Sequence, residues 1–153
     1  MADLDEIYNT RILELAAAIP RTERISVPDA QASAHSKLCG STVDVDIKVE
    51  DGRFVDFGQS VKACLLGQAT ASIVGREIVG TTVSEFREVA DAMRAMLKEG
   101  GEPPSGRWAD LGLLRPVKDY RHRIASTLLV FEAIERALQS LPDQAAAPSA
   151  AAG

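Results

Sequence analysis

Residues 42–63, TVDVDIKVEDGRFVDFGQSVKA, decide the fold of this chain. Apolar and polar side chains alternate over residues 43–49, which is the period of two of a strand with one buried face. Asp51 and Gly52 tolerate positive φ and predict a tight hairpin turn. The apolar residues of the second half predict a return strand, in which Gly58 is the candidate position for a bulge. The sequence therefore predicts a central antiparallel hairpin.

The segment before the hairpin predicts one helix and a connection. Asp3 and Glu6 are spaced as at a helix N-terminus, and the apolar stripe that follows ends at Pro20, because the residue before a proline avoids helical geometry. Residues 21–29 read as a connection. Residues 30–37, AQASAHSK, are small and polar, and predict either an edge strand or a loop.

The segment after the hairpin predicts mainly helices. A helix is expected over residues 64–79, although Gly67 and Gly75 each cost about 1 kcal/mol relative to alanine. Thr82 and Glu85 form a capping box that opens the next helix. Gly100 ends that helix.

The remaining residues complete a prediction of the α+β class. Residues 108–120, WADLGLLRPVKDY, predict a short irregular segment, and residues 123–140 predict the last helix. Residues 141–153 are rich in Ala and Pro and predict a mobile tail after a single domain over residues 1–140. We expect a small antiparallel sheet with the helices packed on one of its faces.

Composition excludes several classes of function. The chain has 153 residues, 17 basic and 22 acidic side chains, a formal net charge of −5 and two cysteines. An acidic balance argues against a nucleic-acid surface, and no apolar run is long enough to span a membrane. The acidic N-terminus is unlike a secretion signal, and two cysteines are too few for the disulfide framework of a small secreted protein. We therefore expect the protein to reside in the reducing cytoplasm.

The chemistry of the chain centres on Cys39 and Cys64. Cys39 precedes the first hairpin strand and Cys64 follows the second, so a hairpin folded at Asp51 and Gly52 places the two thiols opposite one another at its open end. A pair of buried, unreactive cysteines, a redox disulfide and a site for a soft metal or for sulfur all remain open on this reasoning.

Two strings around these cysteines resemble a known family. LCGSTVDVDIKVEDGRFVDF and VKACLLGQATAS are similar to the iron–sulfur cluster assembly scaffolds of the IscU, SufU and NifU N-terminal-domain type. The stretch DLGLLRPVKDYRHRIAS is similar to the SufU branch, with its extra segment. The resemblance covers residues 7–140, nearly the whole predicted domain.

The resemblance implies a small α+β domain that is not an enzyme. Such a protein holds a [2Fe–2S] cluster or iron, with zinc as an alternative, receives sulfur from a cysteine desulfurase and passes the cluster to apo-proteins. Cys39 and Cys64 match the first two cysteine ligands of the family. Ser41 stands where the family has an aspartate, Ser126 stands where it has a third cysteine, and Ala125 replaces a position that carries histidine in IscU-type members.

With two of three thiolates left, other residues become candidates. His122 lies four residues before Ser126, so on a helix the two share a face, and we take it as a candidate metal ligand. Ser41 and Ser126 are candidates for weak contacts to the cluster. His35 would lie about 13 Å from Cys39 on a straight strand and is expected to be out of reach.

Four basic residues accompany these candidates, namely Lys62, Lys118, Arg121 and Arg123. They form either a basic collar that docks an acidic partner or an ordinary solvated face. Three functions stay open from the sequence. They are a cluster scaffold, a SufU-like adaptor that relays persulfide sulfur, and a degenerate family member that only binds or regulates.

Overall fold

The computed structural model describes residues 9–37 and 40–141, which form an α+β domain. Along the chain the elements are α1 (Thr10–Ala17), β1 (Ala30–His35), β2 (Thr42–Glu50), β3 (Arg53–Lys62), α2 (Leu65–Glu77), α3 (Val83–Glu99), a 3₁₀ helix (Gly106–Asp119), α4 (Arg121–Thr127) and α5 (Leu129–Gln139). Residues 141–153 were predicted as the tail, and of these the structure describes only Leu141.

The sheet has three antiparallel strands in the order β1-β2-β3. Asp51 and Gly52 form the predicted turn, with φ values of 51° and 74°. The apolar side chains of β2 are buried in one core with those of the helices, among which α5 packs against β1 and β2. The predicted α+β architecture is confirmed, and residues 30–37 contain an edge strand.

The bulge of the hairpin does not lie at Gly58. The register shifts between Lys48 and Val49, which face Asp56 and Phe54, so Val55 is the extra residue of β3. Gly58 pairs regularly and has another role, because a Cβ atom there would lie 2.5 Å from the Glu23 carbonyl oxygen. The glycine lets the connection after α1 lie directly against the sheet.

A buried carboxylate, that of Asp46, binds the connection after α1 to the sheet. Asp46 is fully buried and accepts two hydrogen bonds from Arg24, at 2.6 and 2.7 Å, and one each from the Ile25 backbone N–H and the Gln31 amide. The Arg24 hydrogen bonds hold the pKa of Asp46 below its ordinary value, against the opposing effect of burial. A charged side chain inside the domain is tolerated here because it is fully paired.

The helix boundaries confirm some predictions and correct others. The Thr82 hydroxyl caps α3 by accepting from the Glu85 N–H at 3.0 Å, and Gly100 ends that helix with φ of 73°. In contrast, α1 begins after Asn9, whose side chain caps it. The predicted capping residues Asp3 and Glu6 lie outside the described residues.

Two further predictions are wrong. The segment predicted as irregular is a regular 3₁₀ helix of 14 residues. The last helix is not continuous, because α4 ends at Thr127 and α5 begins at Leu129. No helix among residues 9–37 and 40–141 has the length and apolar character needed to cross a membrane.

Candidate functional site

Cys64 occupies the N-cap position of α2, two residues after the end of β3. It is half-buried and is a free thiol. Its backbone is extended, with φ of −66° and ψ of 169°, and its side chain makes no capping hydrogen bond to the helix. The thiol therefore stays available at the positive end of the α2 dipole.

Ser41 lies directly against Cys64. Its buried hydroxyl accepts a hydrogen bond from the Cys64 backbone N–H at 3.3 Å. Two backbone hydrogen bonds, each 2.9 Å long, close the turn before Ser41. The Ser36 N–H donates to the Ser41 carbonyl oxygen, and the Gly40 N–H donates to the Ser36 carbonyl oxygen. Gly40 has φ of 71°, which favours glycine at this position. The segment that follows Cys39 in the sequence is thus fixed at the Cys64 end of the hairpin.

Ser126 supplies the group nearest to the thiol. Its buried Oγ lies 3.4 Å from Cys64 Sγ and 3.2 Å from the Arg123 carbonyl oxygen. A hydroxyl carries one proton, so it can donate to only one of these two acceptors at a time. With Cys64 protonated, the thiol can donate to Ser126, whereas a Cys64 thiolate requires Ser126 to donate to sulfur.

Gly67 makes this approach possible and was not among the predicted site residues. A Cβ atom at Gly67 would lie 2.9 Å from the Ser126 carbonyl oxygen and 2.9 Å from the Ala63 Cβ. The missing side chain lets α4 lie against the first turn of α2. The signal available in the sequence was a glycine three residues after a candidate ligand, which often marks a close approach.

The remaining predicted residues are less closely gathered. His122 and Ala125 are exposed on α4, whereas Ser126 is buried. His35 is exposed at the end of β1, paired with Thr42. Cys39 lies outside the described residues, and the described ones contain no group of three or more His, Cys, Asp or Glu side chains that could hold a metal.

The observed register refines the argument from the hairpin. Because of the bulge at Val55, Thr42 faces Lys62 instead of Val61. Of the five predicted site residues, the structure brings together Cys64, Ser41 and Ser126 at the open end of the hairpin. Fold and site together define a small α+β domain that presents a partly exposed thiol, with the Ser126 hydroxyl next to its sulfur and the Ser41 hydroxyl bound to its backbone N–H.

Comparison with known proteins extends this description. No protein-family model matches the chain. The structure of a nitrogen-fixing NifU-like protein (N-terminal) from Brucella abortus superposes with a TM-score of 0.87 at 50% identity, over 89% of this chain and 94% of that one. The iron–sulfur cluster assembly scaffold protein IscU of Thermotoga maritima is 26% identical over 137 residues, which cover 88% of this chain and 94% of IscU.

A third comparison concerns the fold alone. A protein of Fervidobacterium islandicum, assigned as an iron–sulfur cluster assembly scaffold for the SUF system, superposes with a TM-score of 0.80 at 21% identity over 88% of this chain and 98% of that one.

The chain belongs to the NifU- and IscU-like family of iron–sulfur cluster assembly scaffold proteins. The family predicted from the motifs around Cys39 and Cys64 is confirmed.

Proposed function

We propose that this protein is a scaffold for iron–sulfur cluster assembly, which holds iron or a labile [2Fe–2S] cluster as cargo through Cys39 and Cys64 and is not itself an enzyme. The observation that carries the proposal is the half-buried Cys64 thiol, 3.4 Å from Ser126 Oγ at the start of α2. A thiolate is the ligand that iron–sulfur clusters use.

The contact between Ser41 and Cys64 supports the pairing of the two cysteines. Ser41 is two residues after Cys39 in the sequence, and its hydroxyl meets the Cys64 N–H. We propose His122 as a third donor, since it is exposed one helical turn before Ser126. The hydroxyls of Ser41 and Ser126 are proposed as hydrogen-bond donors to cluster sulfide or as weak ligands.

A site with only two thiolates is expected to bind a metal weakly enough to release it to another protein. A four-ligand zinc site is worth roughly 10–16 kcal/mol, so two ligands supply about 5–8 kcal/mol. This corresponds to a dissociation constant between about 0.2 mM and about 1 μM. Such a site releases its metal readily to an acceptor, and zinc, iron and a cluster are all within its chemistry.

Anaerobic reconstitution with iron and sulfide tests the proposal. Visible charge-transfer bands are expected for the natural chain and should disappear in Cys39→Ala and in Cys64→Ala. His122→Ala should weaken the bands, and His35→Ala is the matched control that should leave them unchanged. Bands that persist at full intensity in Cys64→Ala would contradict the proposal.

A sulfur relay is the second candidate, and the half-buried Cys64 thiol at the start of α2, with the Ser126 Oγ 3.4 Å from its sulfur, favours this function. In this scheme the Cys64 thiolate attacks the outer sulfur of a cysteine desulfurase persulfide. The desulfurase thiolate leaves, and Cys64 then carries the persulfide. Mass spectrometry should find the added mass of one sulfur atom on Cys64, lost in Cys64→Ala.

The proposed partners follow from these two functions. They are a cysteine desulfurase as the sulfur donor and cluster-accepting apo-proteins as recipients, in the reducing cytoplasm. A degenerate family member that only binds or regulates is the outcome if both cysteine variants complement a strain that lacks this gene product.

A further inference from the structure

A groove of about 560 Å³ is lined by residues of α3, the 3₁₀ helix, α4 and α5. Its charged lining consists of four cations, contributed by Arg94, Lys98, Lys118 and Arg121, and one carboxylate, that of Glu132. The whole chain has a net charge of −5, so this basic groove reverses the average sign of the surface. A concentration of one sign in a concave site attracts ligands of the opposite sign.

Three of these cations have no partner among the side chains of residues 9–37 and 40–141. Arg94 forms a bidentate ion pair with Glu135, and its Nη1 atom lies 3.7 Å from Asp91 Oδ1. Lys98, Lys118 and Arg121 form no ion pair or hydrogen bond with any side chain that the structure describes. They come from three different elements, so a ligand with several separated negative charges can meet all of them.

The floor of the basic groove is apolar. Leu97, Ile124 and Leu128 form it, and the methyl group of the exposed Ala125 borders it. Charge around an apolar floor calls for an occupant that carries both carboxylates and apolar side chains.

We propose that the basic groove binds an acidic amphipathic segment of a partner protein. The carboxylates of this segment pair with Lys98, Lys118 and Arg121, and its apolar side chains lie on the floor. A nucleic acid fits less well, because no aromatic side chain among the described residues lines the groove for base stacking. The proposal does not depend on metal binding at Cys64.

The place of the groove relates it to the thiol site. Ser126 faces Cys64, and Ile124, two residues earlier and nearly opposite on the same seven-residue helix, lines the groove together with Ala125. A partner docked in the groove would therefore lie next to the site.

Fluorescence anisotropy with a designed peptide tests the proposal. The probe is a labelled peptide of about four helical turns, with Leu at the spacing of one helix face and Glu elsewhere. Lys118→Glu/Arg121→Glu should weaken binding at least ~10-fold, since both pairings turn into repulsions. The control Lys48→Glu/Arg87→Glu has the same net charge outside the groove and should bind as the natural chain does.

Two further measurements separate the apolar and the charged contributions. Ala125→Trp fills the groove from an exposed position and should weaken binding, and so should replacing the Leu residues of the probe by Ser. In the natural chain, amide chemical shifts that respond to the probe should cluster at the end of α3 and on α4, which needs no variant.

Several results would overturn the proposal. These are equal losses in the two double variants, full binding of the Ser-substituted probe, tighter binding of a single-stranded DNA of equal charge, and no binding at millimolar peptide.

Discussion

Replacement of Ser126 by cysteine should convert a weak metal site into a strong one. Ser126 Oγ lies 3.4 Å from Cys64 Sγ, and its carbonyl group packs against Gly67. Two sulfurs bound to one zinc ion in tetrahedral geometry, with bonds of about 2.3 Å, lie roughly 3.8 Å apart. The present separation of the two side chains is therefore within about 0.4 Å of the one that a shared metal requires.

The gain follows from the number of thiolates. If a four-ligand zinc site is worth roughly 10–16 kcal/mol, one ligand contributes about 2.5–4 kcal/mol. Each 1.4 kcal/mol is a factor of about ten, so Ser126→Cys should tighten zinc binding roughly 60- to 700-fold. The natural chain, with its proposed dissociation constant between about 0.2 mM and about 1 μM, provides the reference.

The assay is anaerobic competition for Zn²⁺ against a coloured chelator, with reductant present so that the new cysteine and Cys64 stay as thiols. Cobalt substitution gives an independent readout, since sulfur-to-cobalt charge transfer grows with each thiolate bound. Ser84→Cys is the matched control, because it adds a thiol at an exposed position of α3. Ser126→Ala should leave the affinity within about threefold, since an un-ionised hydroxyl is a poor ligand for a soft metal.

An unchanged affinity in Ser126→Cys would refute the reasoning. It would mean that Cys64 does not face the metal, whatever Cys39 does. An equal gain in Ser84→Cys would refute it too, because the added thiol would then act without the geometry of the site.

Two more predictions concern the frame that holds the site. Asp46→Asn should lower the free energy of unfolding by about 1–3 kcal/mol at pH 7, because Arg24 loses a charged partner. The pKa of Asp46 is lowered in the folded state, so the ionised carboxylate stabilises the fold at pH values above its ordinary pKa of 3.8, and this stabilisation is lost as the pH falls below that value. Denaturant titrations at several pH values should therefore show that the stability of Asp46→Asn depends less on acid than that of the natural chain. Gly67→Ala should destabilise the domain by about 1–3 kcal/mol in thermal unfolding, because its Cβ would lie 2.9 Å from the Ser126 carbonyl oxygen; stabilisation, as for an unobstructed helix position, would show that α4 does not pack as described.

Much of the fold could be predicted from local sequence patterns. The hairpin turn at Asp51 and Gly52 and the cap at Thr82 depend on neighbouring residues only, and both were predicted. The 3₁₀ helix could also have been predicted. Its buried side chains recur every third residue, which matches three residues per turn, and they are Trp108, Leu111, Leu114 and Val117.

Other features depend on distant contacts, which a local pattern does not contain. The sequence pattern predicts a bulge at Gly58, but the lack of a side chain there accommodates Glu23, 35 positions earlier in the chain. Helix propensity predicts that Gly67 destabilises its own helix, whereas in the structure it allows the close approach of Ser126. The break at Leu128 interrupts a stripe that is apolar on both sides, so periodicity alone gave no reason to end a helix there.

The placement of α4 is what links the candidate site to the rest of the molecule. A helix of seven residues is too short to be stable alone, so packing must hold it in position. On one side Gly67 lets Ser126 reach Cys64, and on the other Ile124 forms part of the floor of the basic groove. Because these two sides belong to one short helix, a change that displaces α4 should affect metal binding and peptide binding together. Ser126→Cys and Lys118→Glu/Arg121→Glu each alter one side alone, so each should change only one of the two affinities.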